Sequence, residues 1–130
     1  MGASVIPPEW ESASDLVEVV RQLGRRSLSA NLDTMFADSV VAAGANEAMV
    51  EAGLFALTLP RRYGGQGRNY TALAAVCEEL GRIDTSFQVA LTVHLGLVSM
   101  CILQWGAPEQ REAWLPRLAS GERLGTFGLT

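Results

Sequence analysis

Three groups of residues have side chains or spacings that could do chemistry, and the first is a glycine-rich turn, Tyr63-Gly64-Gly65-Gln66-Gly67. Gly65 and Gly67 begin the G-x-G-x-x-G pattern of dinucleotide-binding turns. Tyr70, however, occupies the position of the third glycine, which that turn needs for close packing of a helix on a strand. No Lys-Ser or Lys-Thr pair follows, so the turn is not a phosphate-binding P-loop either. We therefore favour a structural loop over a nucleotide site.

The second group is His94, the only histidine in the chain, which lies in an apolar segment. A lone buried histidine is usually neutral and hydrogen-bonded for structural reasons. No other His or Cys is spaced to share a metal with it, and no Ser or Cys is placed as a nucleophile beside it. The third group is the adjacent pair Glu78 and Glu79, which cannot act as an acid–base pair on a helix because neighbouring side chains diverge. The residues alone predict no catalytic residue and no metal site.

Composition narrows the classes of function further. Of the 130 residues, 48% are hydrophobic and 18% are charged, which indicates one folded domain with a core. The net charge of −4 argues against nucleic-acid binding, and the absence of lysine excludes lysine chemistry. Cys77 and Cys101 lack ligand-spaced neighbours, so we expect two small buried hydrophobic side chains. No secretory signal is apparent, and we expect a cytoplasmic protein.

Helices must position these groups, and apolar residues spaced three and four apart predict five of them. Their approximate ranges are 12–23, 38–52, 70–80, 85–105 and 108–118. Gly53 is placed for a left-handed cap, Asn69 is the expected N-cap of the third helix, and Pro116 should end or kink the last one. Residues 124–130 are predicted to begin a strand that has no partner in this chain.

The fourth helix is predicted to be the central element of the fold. From about Thr85 to Trp105 it is apolar on nearly every side, which is typical of a helix that other elements surround. Its apolar run over residues 87–103 is near the short limit for a membrane span, and polar residues interrupt it. We therefore expect a buried core helix and no membrane span. The predicted fold is all-α, a bundle of about five to six helices around this one, with an orphan terminal strand.

Several sequence blocks, taken together, carry a family resemblance. They are Gly53–Pro60, Tyr63–Gly67, Glu78–Asp84, Val93–Leu95, Gly106–Arg111, Trp114–Glu122 and Phe127–Thr130. Each block is weak alone, but in this order over about residues 40–130 they resemble the N-terminal helical domain of the acyl-CoA dehydrogenases. Pro7 and Pro8 block a helix and predict a tail over 1–11. The resemblance, which over residues 1–39 is one of pattern only, implies the helical domain over 12–122 and the start of a middle β domain over 123–130.

The resemblance also implies a function for the parent protein. In this family a glutamate base removes the α-proton of an acyl-CoA, FAD takes the β-hydride, and an electron-transfer flavoprotein accepts the electrons. By match, Phe127, Leu129 and Thr130 would contact FAD. The glutamate belongs to the family's middle or C-terminal domain, so no catalytic residue is expected in these 130 residues, which alone should be inactive.

The acyl chain of the substrate needs a dry, apolar pocket, and the apolar fourth helix suits that need. We hypothesise that Val89, Ala90, Val93 and Leu97 line this pocket, although ordinary core packing explains these residues equally well. The acyl chain length and branching that the pocket would accept cannot be read from the residues.

Two alternative functions stay open at this point. A flavin-dependent oxidase or monooxygenase of the same fold would use the same N-terminal domain. A stand-alone helical scaffold or binding domain would need no later domain, and the orphan strand argues against it. By resemblance the full-length protein would add β and C-terminal domains and form a dimer or tetramer. We therefore expect the chain to be a part of a longer enzyme, which the reading frame after Thr130 would test.

Overall fold

A computed structural model describes residues 13–29, 32 and 43–129. Its helices are α1 (Ala13–Leu23, continued by a π-helical turn, Gly24–Leu28), α2 (Ala43–Glu51), α3 (Tyr70–Ile83), α4 (Thr85–Trp105) and α5 (Pro108–Ala119). Two short 3-10 turns, Leu54–Ala56 and Arg61–Tyr63, lie in the connection between α2 and α3. The predicted all-α class is confirmed, since no strand forms within the described ranges.

Most of the predicted helix ends are found where local chemistry places them. Gly53 adopts a left-handed φ of 68° after α2, and the Asn69 side chain accepts a hydrogen bond of 2.9 Å from the Ala72 N–H at the start of α3. Pro116 does not end α5, which runs on to Ala119. Its neighbours Leu115 and Leu118 are buried, and we attribute the continuation to their packing, which offsets the lost backbone bond. The predicted helix start at residue 12 and the span 38–42 lie outside the described residues.

The core lies where α1, α3 and α4 meet the connection between α2 and α3. Its largest fully buried side chains are Phe55, Phe87, Leu16, Leu28, Met49, Leu54, Leu57, Leu59, Leu80, Leu91, Leu95 and Leu115. A single residue, Asp84, separates α3 from α4, and its carboxylate accepts a hydrogen bond of 2.8 Å from the Ser86 N–H. The backbone N–H of Asp84 in turn donates to the Leu80 carbonyl, so this residue caps both helices.

The glycine-rich turn is a structural loop, as the sequence indicates. The backbone N–H groups of Gln66 and Gly67 donate to the carbonyls of Ala56 and Leu59, each at 2.8 Å. A Cβ on Gly65 would lie 2.0 Å from the Leu59 carbonyl oxygen, so the two backbone segments touch directly at that residue. Because these N–H groups already donate to carbonyls of the chain itself, the loop does not present them to a phosphate.

An ion pair joins α1 to α3. Arg21 Nε donates to Glu79 Oε1 at 2.9 Å, and the Glu79 side chain is only 11% exposed. Glu78 points away and pairs with Arg82 on its own helix, where both side chains are largely exposed. The two adjacent glutamates therefore diverge, as predicted, and do not form an acid–base pair.

Glu79→Gln is expected to lower the free energy of unfolding by about 1–2 kcal/mol, because it weakens a charge-assisted bond in a partly buried setting. Arg21 is 46% exposed, and solvent screening limits the loss. The matched control is Glu78→Gln, which removes the exposed pair with Arg82 and should cost clearly less than Glu79→Gln. Urea unfolding followed by circular dichroism measures both. Equal losses would show that burial does not strengthen the Arg21–Glu79 pair.

Helix α4 is covered on one side only by the described residues. Phe87 and Leu91 are buried against the core, whereas Val89 is 48% and Trp105 84% exposed. By length and composition alone α4 could cross a membrane, since its most apolar 18-residue window has a mean hydropathy of 1.8, and 28% of that window is buried. The helix is central in the sense that it contacts α3, α5 and the turn Leu54–Ala56, but the described residues do not enclose it.

Two further expectations, one on the cysteines and one on the terminal strand, differ from the structure. Cys77 is half-buried, but Cys101 lies on the uncovered side of α4 and is exposed, so the prediction of two buried cysteines is wrong for Cys101. Residues 124–129 do not form the predicted strand, because no neighbouring strand within the described ranges pairs with their backbone.

Candidate functional site

The residues predicted to line an acyl pocket lie along one side of α4. Val89 is 48% and Leu97 43% exposed, and Ala90 and Val93 are partly exposed. Val89, Val93 and Leu97 are four residues apart, which keeps them on neighbouring turns of the same side. The structure thus brings these four side chains together on an accessible apolar strip. Their role in binding an acyl chain stays a prediction.

The residues predicted to contact a flavin lie in the segment after α5. Phe127 is 50% and Leu129 85% exposed, and Thr130 lies outside the described residues. Gly125, which precedes them, is buried on α4, where an added Cβ would lie 2.8 Å from the Val98 side chain. The segment is therefore fixed to the domain at Gly125 and presents two apolar side chains beyond it.

His94 is the polar residue that links α4 to this segment. Its ring is fully buried, with Nε2 3.1 Å from the Leu118 carbonyl oxygen and Nδ1 3.1 Å from the Gly125 backbone nitrogen. A backbone N–H can only donate, so Nδ1 accepts and the proton of the neutral ring is on Nε2, which donates to Leu118. This geometry supports the predicted structural role of His94. Burial lowers the pKa of His94, and hydrogen bonds with the backbones of Leu118 and Phe55 oppose that shift only in part.

The backbone around His94 is a π-helical stretch, Val93–Ser99, inside α4. The Ser99 hydroxyl donates to the His94 carbonyl oxygen at 2.7 Å, and the Phe55 ring packs against the imidazole with 4.6 Å between centroids. Sequence reasoning missed both this stretch and the contact with Gly125. The one available signal was Ser99 itself, a small hydroxyl side chain five residues after His94 in an apolar run.

The depressed pKa of His94 predicts a pH dependence of stability. The ordinary pKa is 6.5, so over the range between that value and the lower folded-state pKa the unfolded chain binds more protons than the folded chain. The stabilisation is therefore complete above 6.5 and is lost as pH falls through the folded-state pKa. Unfolding free energies measured on both sides of 6.5 check this, and His94→Gln should remove this part of the pH dependence. A wild-type profile identical to that of the variant would contradict it.

Comparison with known proteins decides the family. Residues 11–122 match the family model described as "Acyl-CoA dehydrogenase, N-terminal domain". The chain belongs to the acyl-CoA dehydrogenase family. This confirms the resemblance that the sequence blocks carry.

Several acyl-CoA dehydrogenases are similar to the chain in detail. An acyl-CoA dehydrogenase of Bacillus subtilis (strain 168) is 37% identical over 78 residues, which cover 60% of this chain and 21% of the relative. The human mitochondrial short-chain specific acyl-CoA dehydrogenase is also 37% identical over 78 residues, covering 60% of this chain and 19% of the relative. The chain thus spans about a fifth of the length of these curated relatives.

A solved structure of the same family agrees in fold. The glutaryl-CoA dehydrogenase from Mycobacterium smegmatis, in complex with FADH2, superposes with a TM-score of 0.80 at 26% sequence identity. The match covers 92% of this chain and 30% of that one. The helical arrangement described above is therefore similar to that of about a third of this larger glutaryl-CoA dehydrogenase chain.

The surface of the domain also carries depressions. A cleft of about 340 Å³ lies between α2 and the segment after α5, beside Phe55 and Leu124. A second depression of about 350 Å³ lies between Trp105 and Trp114. Within the described residues, no group of three metal-ligating side chains comes together.

Proposed function

We propose that this chain is the N-terminal helical domain of an FAD-dependent acyl-CoA dehydrogenase, which removes hydrogen from Cα and Cβ of an acyl-CoA thioester. The family match over residues 11–122 is the observation that carries the proposal. The accessible apolar strip on α4 supports it, because a substrate with an aliphatic tail requires apolar surface that is not used up in the core.

In catalysis this domain would bind the acyl chain of the substrate and exclude water from it. Val89, Ala90, Val93 and Leu97 would contact the acyl chain and keep solvent away from the thioester. Neither task needs a titratable group, and the buried His94 is already committed to two backbone partners. The base that removes the α-proton would come from a domain beyond these residues, so the 130 residues alone are proposed to be inactive.

The residues after α5 fit part of a flavin site. Phe127 and Leu129 are exposed apolar side chains, and a Cβ on Gly128 would meet nothing within 4 Å, so a planar ring has room beside this backbone. Phe127, Leu129 and Thr130 would hold one edge of FAD through apolar contact, backbone groups and a hydroxyl. FAD, when bound, would supply the acceptor for the β-hydride.

Two further parts of the proposal concern partners. Electrons would leave through an electron-transfer flavoprotein, and the full-length protein would be a dimer or tetramer. The exposure of Trp105 and Trp114 supports further protein contacts on this domain, because large aromatic side chains are seldom left this open on a monomer.

The test is to purify the full gene product and record its flavin absorbance and its activity on acyl-CoA thioesters of several lengths. We expect bound flavin and reduction of an artificial dye or of electron-transfer flavoprotein. Turnover that uses only molecular oxygen would instead indicate an oxidase or monooxygenase of the same fold. Residues 1–130 produced alone should not bind flavin stoichiometrically and should not turn over substrate. Stoichiometric flavin binding or turnover by these residues alone would contradict the proposal.

Val93→Trp tests the acyl pocket. The larger ring would fill space on the strip, so kcat/KM for long acyl chains should fall about tenfold relative to short ones. Ala74→Trp, at an exposed position of α3, is the control and should leave the length preference unchanged. An unchanged preference in Val93→Trp would remove Val93 from the pocket.

A further inference from the structure

Two independent contacts converge on Gly125. Its backbone N–H donates to His94 Nδ1 at 3.1 Å, and its Cα lies so close to α4 that an added Cβ would come within 2.8 Å of Val98. Gly125 is buried, while the residues that flank it on both sides, Leu124 and Thr126, are exposed. The segment after α5 is therefore held to α4 at one residue.

His94 is itself held in place by three elements. Nε2 donates to the Leu118 carbonyl on α5, the Phe55 ring packs on the imidazole, and the backbone of His94 accepts from Ser99 within the π-helical stretch. The Leu118 carbonyl and the Gly125 N–H lie at opposite nitrogens of one rigid ring. The ring therefore links the end of α5 to Gly125, in addition to the backbone bonds from Gly121 to Leu118 and from Arg123 to Arg117.

The held residue is close in sequence to the predicted flavin contacts. Phe127 is two residues beyond Gly125, a span of at most about 7 Å in extended chain. Residues 126–129 are exposed, so the contacts of Gly125 with His94 and Val98 are the described attachment that precedes them. A shift of Gly125 would move the point from which Phe127 extends.

We propose that His94 is a positioning residue for the flavin site, which acts by holding Gly125 through Nδ1 and so fixes where Phe127 and Leu129 lie. This rests on the proposed function, in which those two residues contact FAD. His94 itself touches neither substrate nor cofactor in this scheme. The role requires the neutral ring, because a proton on Nδ1 would place two donors against each other.

Two substitutions separate the two bonds of the ring. In His94→Asn the side-chain amide reaches about as far as Nδ1, so its oxygen can still accept from the Gly125 N–H while the bond to Leu118 is lost. In His94→Gln the amide reaches about as far as Nε2, so its NH2 group can still donate to the Leu118 carbonyl while the bond to Gly125 is lost. Both variants lose the ring contact with Phe55, so that loss is common to the two.

The first measurement needs no flavin. In the full gene product prepared without FAD, NMR hydrogen exchange at the Gly125 amide should stay slow in His94→Asn and become at least tenfold faster in His94→Gln. Likewise, the backbone at Phe127 and Leu129 should stay ordered in His94→Asn and become less ordered in His94→Gln. Equal behaviour of the two variants at both places would overturn the proposal.

The second measurement uses the full gene product and FAD as the probe. The Kd for FAD should rise at least tenfold in His94→Gln relative to His94→Asn, and the flavin absorbance spectrum should shift only in His94→Gln. A wild-type protein that binds no FAD would overturn the proposed function and leave the NMR result standing. A wild-type protein that binds FAD, with both variants equal to it, would overturn the positioning role alone.

A wild-type measurement decides the matter if both variants fail to fold. The proposal requires a through-hydrogen-bond coupling between the Gly125 amide and His94 Nδ1, with the ring proton on Nε2. Detection of that coupling together with an ordered Phe127 supports the role. A ring protonated at Nδ1, or a freely mobile Phe127, contradicts it.

Discussion

Gly65→Ala is expected to lower the free energy of unfolding by at least about 3 kcal/mol, the largest effect that we expect from a single added methyl group in this chain. The added Cβ would lie 2.0 Å from the Leu59 carbonyl oxygen and 2.3 Å from the Leu59 carbonyl carbon. Both are backbone atoms, so no side-chain rotation can relieve the clash. Relief requires the loop to move away, which breaks the bonds from Gln66 and Gly67 to Ala56 and Leu59.

Gly81→Ala is the matched control for the same chemical change. Gly81 lies in α3, is exposed, and an added Cβ would meet nothing within 4 Å. Alanine should therefore stabilise the helix by about 0.5–1 kcal/mol. Denaturant unfolding of the two variants beside the wild type gives both numbers. A Gly65→Ala protein as stable as the wild type would show that this loop does not approach Leu59 as described.

Phe55→Ala is the second large expected effect, a loss of about 3–5 kcal/mol. Phe55 is 2% exposed, belongs to the core, and packs its ring on His94. Truncation removes most of the buried apolar area of the side chain and leaves a cavity next to the imidazole. The loss should approach the lower figure if the cleft of about 340 Å³ beside Phe55 lets the neighbouring residues close in.

Trp105→Ala tests the same kind of truncation at the exposed end of α4. Trp105 is 84% exposed, so in residues 1–130 alone, without the further protein contacts proposed for it, its removal should change the free energy of unfolding by no more than about 0.5 kcal/mol. Thermal or urea unfolding of the two variants provides the comparison. A large loss for Trp105→Ala would mean that this side chain is covered by another protein surface in solution.

The sequence predicted best those features that depend on a few neighbouring residues. Asn69 caps α3 and Gly53 turns left-handed after α2, because a side-chain acceptor and the lack of a Cβ act within one helical turn. The neutral, buried state of His94 was also predictable, since an isolated histidine in an apolar run has few other outcomes. These local causes account for most of the helix positions.

Features that depend on distant packing were not predictable in the same way. Cys101 and Leu97 occupy the apolar pattern that predicts a surrounded helix, yet they lie on the side of α4 that no described element covers. The pattern reports how apolar a helix is, and not which chain covers it. The link between His94 and Gly125 spans 31 residues and depends on how α5 returns the chain to α4. The spacing of residues along the sequence does not indicate that the chain after α5 comes back to α4.

The site residues were predicted mainly from the family resemblance, and less from the spacing of apolar residues. Phe127 and Leu129 are exposed apolar residues at positions where spacing alone predicts only an unpaired strand. Val89 and Val93 were equally consistent with core packing, and their accessibility on α4 is what keeps an acyl-chain role open to test.

The single-residue junction at Asp84 has a mechanical consequence. Because this residue caps α3 and α4 at once, the connection has no slack to absorb a movement of either helix. A displacement of the start of α4 would therefore move the end of α3 with it, and the Arg21–Glu79 bond joins α3 in turn to α1. The three helices are thus connected in series.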